Sequence, residues 1–370
     1  MRFAIFGLTV SSSWGNGHAT LWRGLIRALT RLGHEIVFFE RDVPYYAEAR
    51  DLFQLDGGAE LILYSDWDAV AEQAERAVRR ADVAMVTSYC PDAIAAERLI
   101  ADSAPGLSVF YDLDTPVTLA RLGAGEPVAY LPEHGLGRFD LVLSYTGGEA
   151  LTALRDRLGA RRTAPLYGHV DPAQHRPAAP AEPFRGDLSY LGTFAADRQA
   201  ALDALFIEPA RQRPGQRFVL GGANYPADFP WEDNVYFVKH LPPPDHPSFF
   251  CSSRLTLNVT RRDMAAMGWC PSGRLFEAAA CGVAVLTDWW EGLETFFTPG
   301  AEVLIARDTQ DVVAALDLGG DEVARIGAAG RERVLDEHTS GHRASQLVEL
   351  LKDIGSSPAR AAEPMLMAEE

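Results

Sequence analysis

The sequence predicts an α/β protein made of two successive doubly wound units facing each other across a cleft. Three observations predict it. Apolar, β-rich runs alternate with helix-periodic segments along nearly the whole chain, one stretch without periodicity divides that series in two, and 370 residues suit two cores of ordinary size. Strands that read as near-continuous apolar runs are buried on both faces, which implies parallel sheets covered by helices.

The elements follow in order. Arg2–Thr9 is the first strand, and the polar stretch "SSSWGNGHAT" (Ser11 to Thr20) leads from it into a helix. In His18–Leu32 the residues Leu21, Leu25, Leu29 and Leu32 share one face, and Gly33 suits the position after a helix end. "HEIVFFE", "AELILYS", "ADVAMVTSY", "GLSVFYDLD" and "FDLVLSYT" supply further strands, with helices expected over Trp67–Arg80 and Pro91–Ser103. These make residues 1–176 a Rossmann-like unit. Residues 177–186, "PAAPAEPFRG", read as a linker. A second Rossmann-like unit is expected over 187–354, with strands at "DLSYLGTF", "RFVLGGANY", "NVYFVKHL", "RLTLNVT", "VAVLTD" and "EVLIAR". Helices are expected over Asp197–Gln212 and Gly273–Cys281, a short one near Phe249, and further helices run to Ile354. Residues 355–370, rich in Pro, Ala and Glu, read as a disordered tail.

Composition excludes several functions. A formal charge of −17 repels phosphate backbones, so no nucleic-acid partner is expected. Only Lys239 and Lys352 are lysines among 34 basic residues, so an anion site must rest on arginine and backbone N–H groups. Cys90, Cys251, Cys270 and Cys281 form no C-x-x-C pair and lie in apolar surroundings, which fits packing better than metal or redox work. The first residues lack the long apolar core of a signal peptide, and no apolar run reaches the ~20 residues of a membrane span. A cytoplasmic protein is expected.

Ligands of doubly wound sheets sit at the carboxyl ends of strands, so the chemistry is sought in the loops there. The richest segment runs from Leu257 to Asp308. Ser272 is a candidate N-cap, and the free N–H groups at Ser272, Gly273 and Arg274 make a natural phosphate seat. Arg274 adds a forked donor, and Glu277 can accept two ribose hydroxyls. Local pattern alone equally allows Arg274 and Glu277 to be a surface pair at i, i+3.

"SGRLFEAAACGVAVLTDWWEGLE" followed by "PGAEVLIA" resembles the C-terminal donor domain of GT-B glycosyltransferases, in particular the branch of the spore maturation protein CgeB. "SSSWGNGHAT", "ERDVPYY", "YDLDTPVT" and "FDLVLSYTGG" extend the resemblance over most of the chain. It implies a GT-B fold, with a nucleotide-sugar donor (a UDP-sugar first) in the C-terminal domain. It further implies an acceptor, small molecule or glycan, beside the N-terminal domain, and neither an obligatory metal nor a cofactor. By the same resemblance Glu277 holds the donor ribose and Arg274 lies near the diphosphate. Arg198, in the turn after Gly192 and Thr193, faces the pyrophosphate, and Arg261 is a further candidate. "GGANYPADFPW" and "KHLPPPDHP" are expected to bound the base pocket. The chain departs from the pattern at one place. Many retaining relatives carry a second glutamate eight positions before the ribose glutamate, and Trp269 stands there. The backbone of Trp269–Ser272 is then expected to hold the sugar.

On the acceptor side the loop Gly15-Asn16-Gly17-His18 has three readings. As a dinucleotide fingerprint with Glu40 it lacks the third glycine, Thr20 standing there, and lies too far beyond the strand. His18 at a helix N-terminus suits a neutral imidazole acting as general base, a role the resemblance also implies. The loop equally suits binding alone. In "FYDLDTPVT" Asp112 is expected to be the acceptor-binding or acid–base carboxylate and Asp114 a helix cap. The expected activity is glycosyl transfer. The alternatives are nucleotide-sugar epimerisation and nucleotide-sugar binding without turnover.

Overall fold

A computed structural model describes residues 1–356, so the expected tail lies outside the described residues from 357 onward. The first sheet comprises β1 (Arg2–Gly7), β2 (Glu35–Arg41), β3 (Glu60–Tyr64), β4 (Val83–Thr87), β5 (Leu107–Asp112), β6 (Leu141–Ser144) and β7 (Thr163–Pro165). Its strand order is β3-β2-β1-β4-β5-β6-β7 and every pairing is parallel, with Phe3 facing Ile36 on one side and Val83 on the other. The second sheet comprises β8 (Gly186–Leu191), β9 (Phe218–Gly222), β10 (Val235–Lys239), β11 (Ser253–Asn258), β12 (Ala284–Thr287) and β13 (Leu304–Ile305). Its order, β10-β9-β8-β11-β12-β13, is again all parallel. In both sheets the order reverses beside the first strand, at β1/β4 and at β8/β11. Those reversals open the crevices where such sheets take ligands.

The patterns behave as their physics requires, with two instructive differences. All five residues of β4 are buried, as a central parallel strand demands. The helix His18–Arg31 buries Leu21, Leu25 and Leu29, but Leu32 is 50% exposed because the helix has already ended. Gly33 turns the chain there with φ +81°, a conformation that suits glycine. The expected helix Asp197–Gln212 is a composite: a 3₁₀ turn at Ala196–Arg198, a π-turn over Asp203–Ile207 and a final turn from Glu208. Pro209 lacks the N–H that a regular helix would use, which accounts for the widened turn before it.

One apolar cluster joins the halves, uniting Trp22, Leu25 and Tyr111 with Leu275, Phe276, Leu347 and Leu351. Separate clusters cover the outer faces of the first sheet and of the second. The last helix, Ser340–Gly355, returns to the first sheet, where Gln346 donates to the Pro165 carbonyl at 3.2 Å. Residues 177–185 are held down: Ala178 N–H donates to Cys251 Sγ and Ala181 N–H to Ser252 Oγ. No helix among the described residues is long and apolar enough to cross a membrane.

Candidate active-site cleft

The loops after β1, β4, β5 and β6 meet those after β8 and β11, and between them lies a cleft of about 420 Å³. Gly15, Asn16, Gly17 and His18 line its first wall. Gly192, Thr193, Arg198, Arg261, Ser272, Gly273, Arg274 and Glu277 line the opposite one. Of the two candidate catalytic residues, His18 lines the cleft and Asp112 does not.

Glu40 shapes the first wall. It is 1% exposed and accepts from Thr9 Oγ1 (2.7 Å), Ser11 Oγ (2.5 Å), Val10 N (2.7 Å) and Ser11 N (3.0 Å). With its oxygens saturated by the loop itself, Glu40 is an anchor and offers nothing to a ribose. Asn16 continues the scaffold, its Nδ2 donating to the Thr9 carbonyl and its Oδ1 accepting the His18 N–H at 3.1 Å. Gly15 has φ +59°, and a Cβ there would meet Tyr45 Oη at 2.9 Å. The loop is built to hold His18 at the start of its helix.

The His18 ring looks across at Asp114, with Nε2 4.0 Å from Oδ1. Burial lowers the His18 pKa, Asp114 opposes that shift, and Arg261 adds to it, so the ring is neutral and able to take a proton. Asp114 sits at the N-cap position of the helix Thr115–Gly123 without capping it. Its carboxylate instead accepts from Tyr89 Oη at 3.1 Å and faces Arg261 Nη1 at 3.7 Å. Arg261 in turn donates to Asp197 at 3.0 Å.

The two aspartates differ from the sequence reading in exposure: Asp114 faces the cleft and Asp112 does not. Asp112 ends β5 and points inward at 0% exposure, one oxygen accepting the Asp114 N–H and the other without a partner. Burial raises its pKa to about 6. Between about pH 4 and 6 the native state then binds a proton that the unfolded chain has released, so stability falls as pH rises through that window. The full difference is about 3 kcal/mol. We expect Asp112→Asn to leave turnover within about threefold and to lose this pH dependence, checked by unfolding midpoints from about pH 4 to 7.

On the opposite wall Ser272 caps the helix Gly273–Ala280, its Oγ accepting the Arg274 N–H at 3.3 Å. Arg274 and Glu277 pair as i, i+3, but the pair is not a surface one, because Glu277 is only 5% exposed. Burial pushes the Glu277 carboxyl up, while Arg274 first, then His175 and His246, bring it down to about 2. Its Oε1 accepts the Thr20 hydroxyl at 3.1 Å, a bond that crosses the cleft. Arg198 donates to the Thr193 carbonyl at 3.0 Å and keeps a buried Nε without partner. The Trp269 backbone is already engaged, while Cys270 and Ser272 of the same stretch line the cleft. The Trp269 N–H donates to the Glu291 carbonyl at 2.7 Å and its carbonyl accepts from Gly147 N at 3.0 Å.

Sequence reasoning singled out none of Thr20, Tyr89, His169 and His175, and reached His246 only as part of "KHLPPPDHP". His169 lines the cleft with a buried, unpartnered Nε2. His175, His246 and Glu277 bring three buried ligand-type atoms within 4.8 Å of one another. The segment around Asn224 and Tyr225, expected near the base, does reach this region: Tyr225 Oη donates to the Gly192 carbonyl at 2.9 Å.

Comparison with known proteins bears on the fold. Residues 198–349 match the glycosyl transferase-like family. Sucrose-phosphate synthase from Thermosynechococcus elongatus superposes with a TM-score of 0.71 at 15% identity, covering 96% of this chain and 99% of that one. HepE from Anabaena, solved in complex with UDP-glucose, gives 0.68 at 13% identity over 95% and 100% of the two chains. The catalytic domain of starch synthase IV from Arabidopsis thaliana, bound to ADP and acarbose, gives 0.63 at 14% identity over 96% and 99%. The fold is GT-B. No curated protein matches at the level of sequence. In this GT-B chain the matched family region begins at Arg198 and contains the helix Gly273–Ala280, so most of the second wall lies inside it.

Proposed function

We propose that this chain is a glycosyltransferase that moves a sugar from a nucleotide-sugar donor, a UDP-sugar first, to a hydroxyl acceptor held over Gly15–His18. The motifs around Arg274 resemble those of the CgeB branch, which supports this reading. The observation that carries the reading is the opposition of the two walls: a neutral His18 backed by Asp114 faces a wall bearing Arg198, Arg261, Arg274 and a capped helix start.

In this reading the donor diphosphate lies against the Gly273 and Arg274 N–H groups and the guanidinium groups, and its ribose displaces the Thr20 hydroxyl from Glu277. The His18 ring accepts the proton of the acceptor hydroxyl as the oxygen bonds to the anomeric carbon. The bond from that carbon to the diphosphate oxygen breaks, and its electron pair leaves with the nucleotide. Arginines already oriented in a closed cleft stabilise that developing charge without reorganisation. Asp114 steadies the imidazolium that forms. The charge balance is met by the chain's own cations, so the proposal calls on no metal or cofactor.

A thermal-shift screen against UDP-, GDP- and dTDP-sugars tests it, with Glu277→Gln as control. A UDP-sugar at about 100 times its Kd should stabilise the wild type by roughly 2.7 kcal/mol and the variant far less. If no nucleotide separates the two proteins, the donor assignment is wrong. Sugar-nucleotide conversion in the absence of any acceptor would instead favour an epimerase.

A further inference from the structure

Behind the donor wall, groups from three distant parts of the chain converge. His175 follows β7, His246 opens the helix His246–Cys251, and Arg274 and Glu277 stand on the helix Gly273–Ala280. Both histidines are 2% exposed. His175 Nε2 lies 3.4 Å from His246 Nδ1 and 3.9 Å from Glu277 Oε2, and His246 Nδ1 lies 4.0 Å from the same oxygen. A triangle of this size is that of a metal-ligand set.

The hydrogen bonds assign it differently. His246 Nε2 faces the Leu241 carbonyl at 3.2 Å, and a carbonyl can only accept, so Nε2 carries the proton. Nδ1 is then a lone pair, and it accepts from Arg274 Nη1 at 3.2 Å. The same Nη1 pairs with Glu277 Oε2. His175 can bond to His246 Nδ1 only by donating its own Nε2–H, which leaves its Nδ1 as the buried, unpartnered lone pair. The one lone pair of His246 Nδ1 is thus shared, by Arg274 at 3.2 Å and His175 at 3.4 Å, and the positive centre among them is the guanidinium. A metal ion would require Arg274 to leave and His175 to move its proton to the unpartnered nitrogen. Burial first, and then the nearby Arg274, lowers both histidine pKa values, which agrees with two uncharged rings beside a cation.

We propose that His246, backed by His175, is a positioning residue for the donor: its Nδ1 holds the Arg274 guanidinium, and Arg274 rather than a metal ion is the cation of this cradle. The inference rests on the donor-site reading above. The chain uses the same device once more, away from the cleft. His338 Nε2 donates to the Phe296 carbonyl at 3.2 Å while its Nδ1 accepts from Arg343 Nη2 at 2.9 Å. In both places an imidazole couples a backbone carbonyl to an arginine and fixes where the guanidinium sits. For Arg274 that leaves donors free to turn to a ligand without a search over rotamers.

The test compares UDP affinity by calorimetry, and melting temperature, in His246→Asn, His246→Gln and His246→Leu. Asparagine places an acceptor where Nδ1 was. Glutamine places its amide near Nε2, keeping the Leu241 bond but giving up the contact with Arg274. The expected result is UDP affinity within about threefold of wild type for Asn and about tenfold weaker for Gln and Leu, at similar melting temperatures for Asn and Gln. If the Leu variant does not fold, the Asn–Gln pair carries the comparison. Equal UDP affinity in Asn and Gln overturns the positioning role. So does stoichiometric, tight Zn²⁺ binding that His175→Ala abolishes, since the cradle would then be a metal site. Arg274→Met separates the two layers of argument. If it loses UDP while His246→Gln does not, only the positioning role fails. If the wild type binds no nucleotide, the donor-site reading fails and takes this inference with it.

Discussion

Turnover should fall by about 10²–10⁴-fold in His18→Ala while donor affinity stays within about threefold, because in the proposed function the imidazole faces the acceptor and takes its proton. The split between the two quantities is the informative part. A residue that only shaped the wall would move binding and turnover together. Asp114→Asn should cost less, and it should shift the pH profile in a definite direction. Asp114 raises the His18 pKa against burial and Arg261. Neutralising it lets that pKa fall further, so the acid limb of the rate profile should move to lower pH while the plateau drops. A structural role for Asp114 would lower the plateau without moving the limb. If His18→Ala turns over within threefold of wild type, His18 is a binder and the base lies elsewhere. Measured initial rates from pH 5 to 8, with donor affinity by calorimetry, decide between these outcomes.

The alternation of strand and helix was readable because strands buried on both faces carry uninterrupted apolar runs, and β4 shows that in its purest form. The strand ends then pointed to the loops of the cleft. What the sequence did not carry was direction within a loop. "DLD" offers two carboxylates two residues apart, and only the end of β5 at Asp112 determines that this one turns inward while Asp114 emerges. Glu40 shows a related ambiguity. An acid at the end of a second strand suits a ribose in the abstract, but Thr9 and Ser11 place hydroxyls and N–H groups against it first. His175 and His246 were illegible for another reason. They lie 71 residues apart, and only the crossing of the chain between the two sheets brings them to Arg274.

Trp269→Ala should destabilise the protein by about 2–4 kcal/mol, read as a lower melting temperature, although the sequence resemblance leads one to expect a sugar-facing glutamate at this position. The indole is a wedge between the halves. Its backbone is left-handed at φ +42°, pinned by bonds to Glu291 and to Gly147 of the loop after β6. The ring lies against Gly148 on the first half and Gly292 on the second, both at positive φ, and a Cβ on either would overlap it. Trp269→Glu should therefore not recreate a sugar ligand. It should cost at least as much stability as alanine, since a carboxylate would stand among glycine backbones with its charge partly buried. Stability retained in Trp269→Glu together with faster turnover would refute the wedge. The decisive comparison is Gly148→Ala in both backgrounds. With the indole present it should cost about 2–5 kcal/mol, combining backbone strain and overlap. In Trp269→Ala the overlap is gone, only the strain remains, and the two substitutions should fall short of additive by about 1–3 kcal/mol.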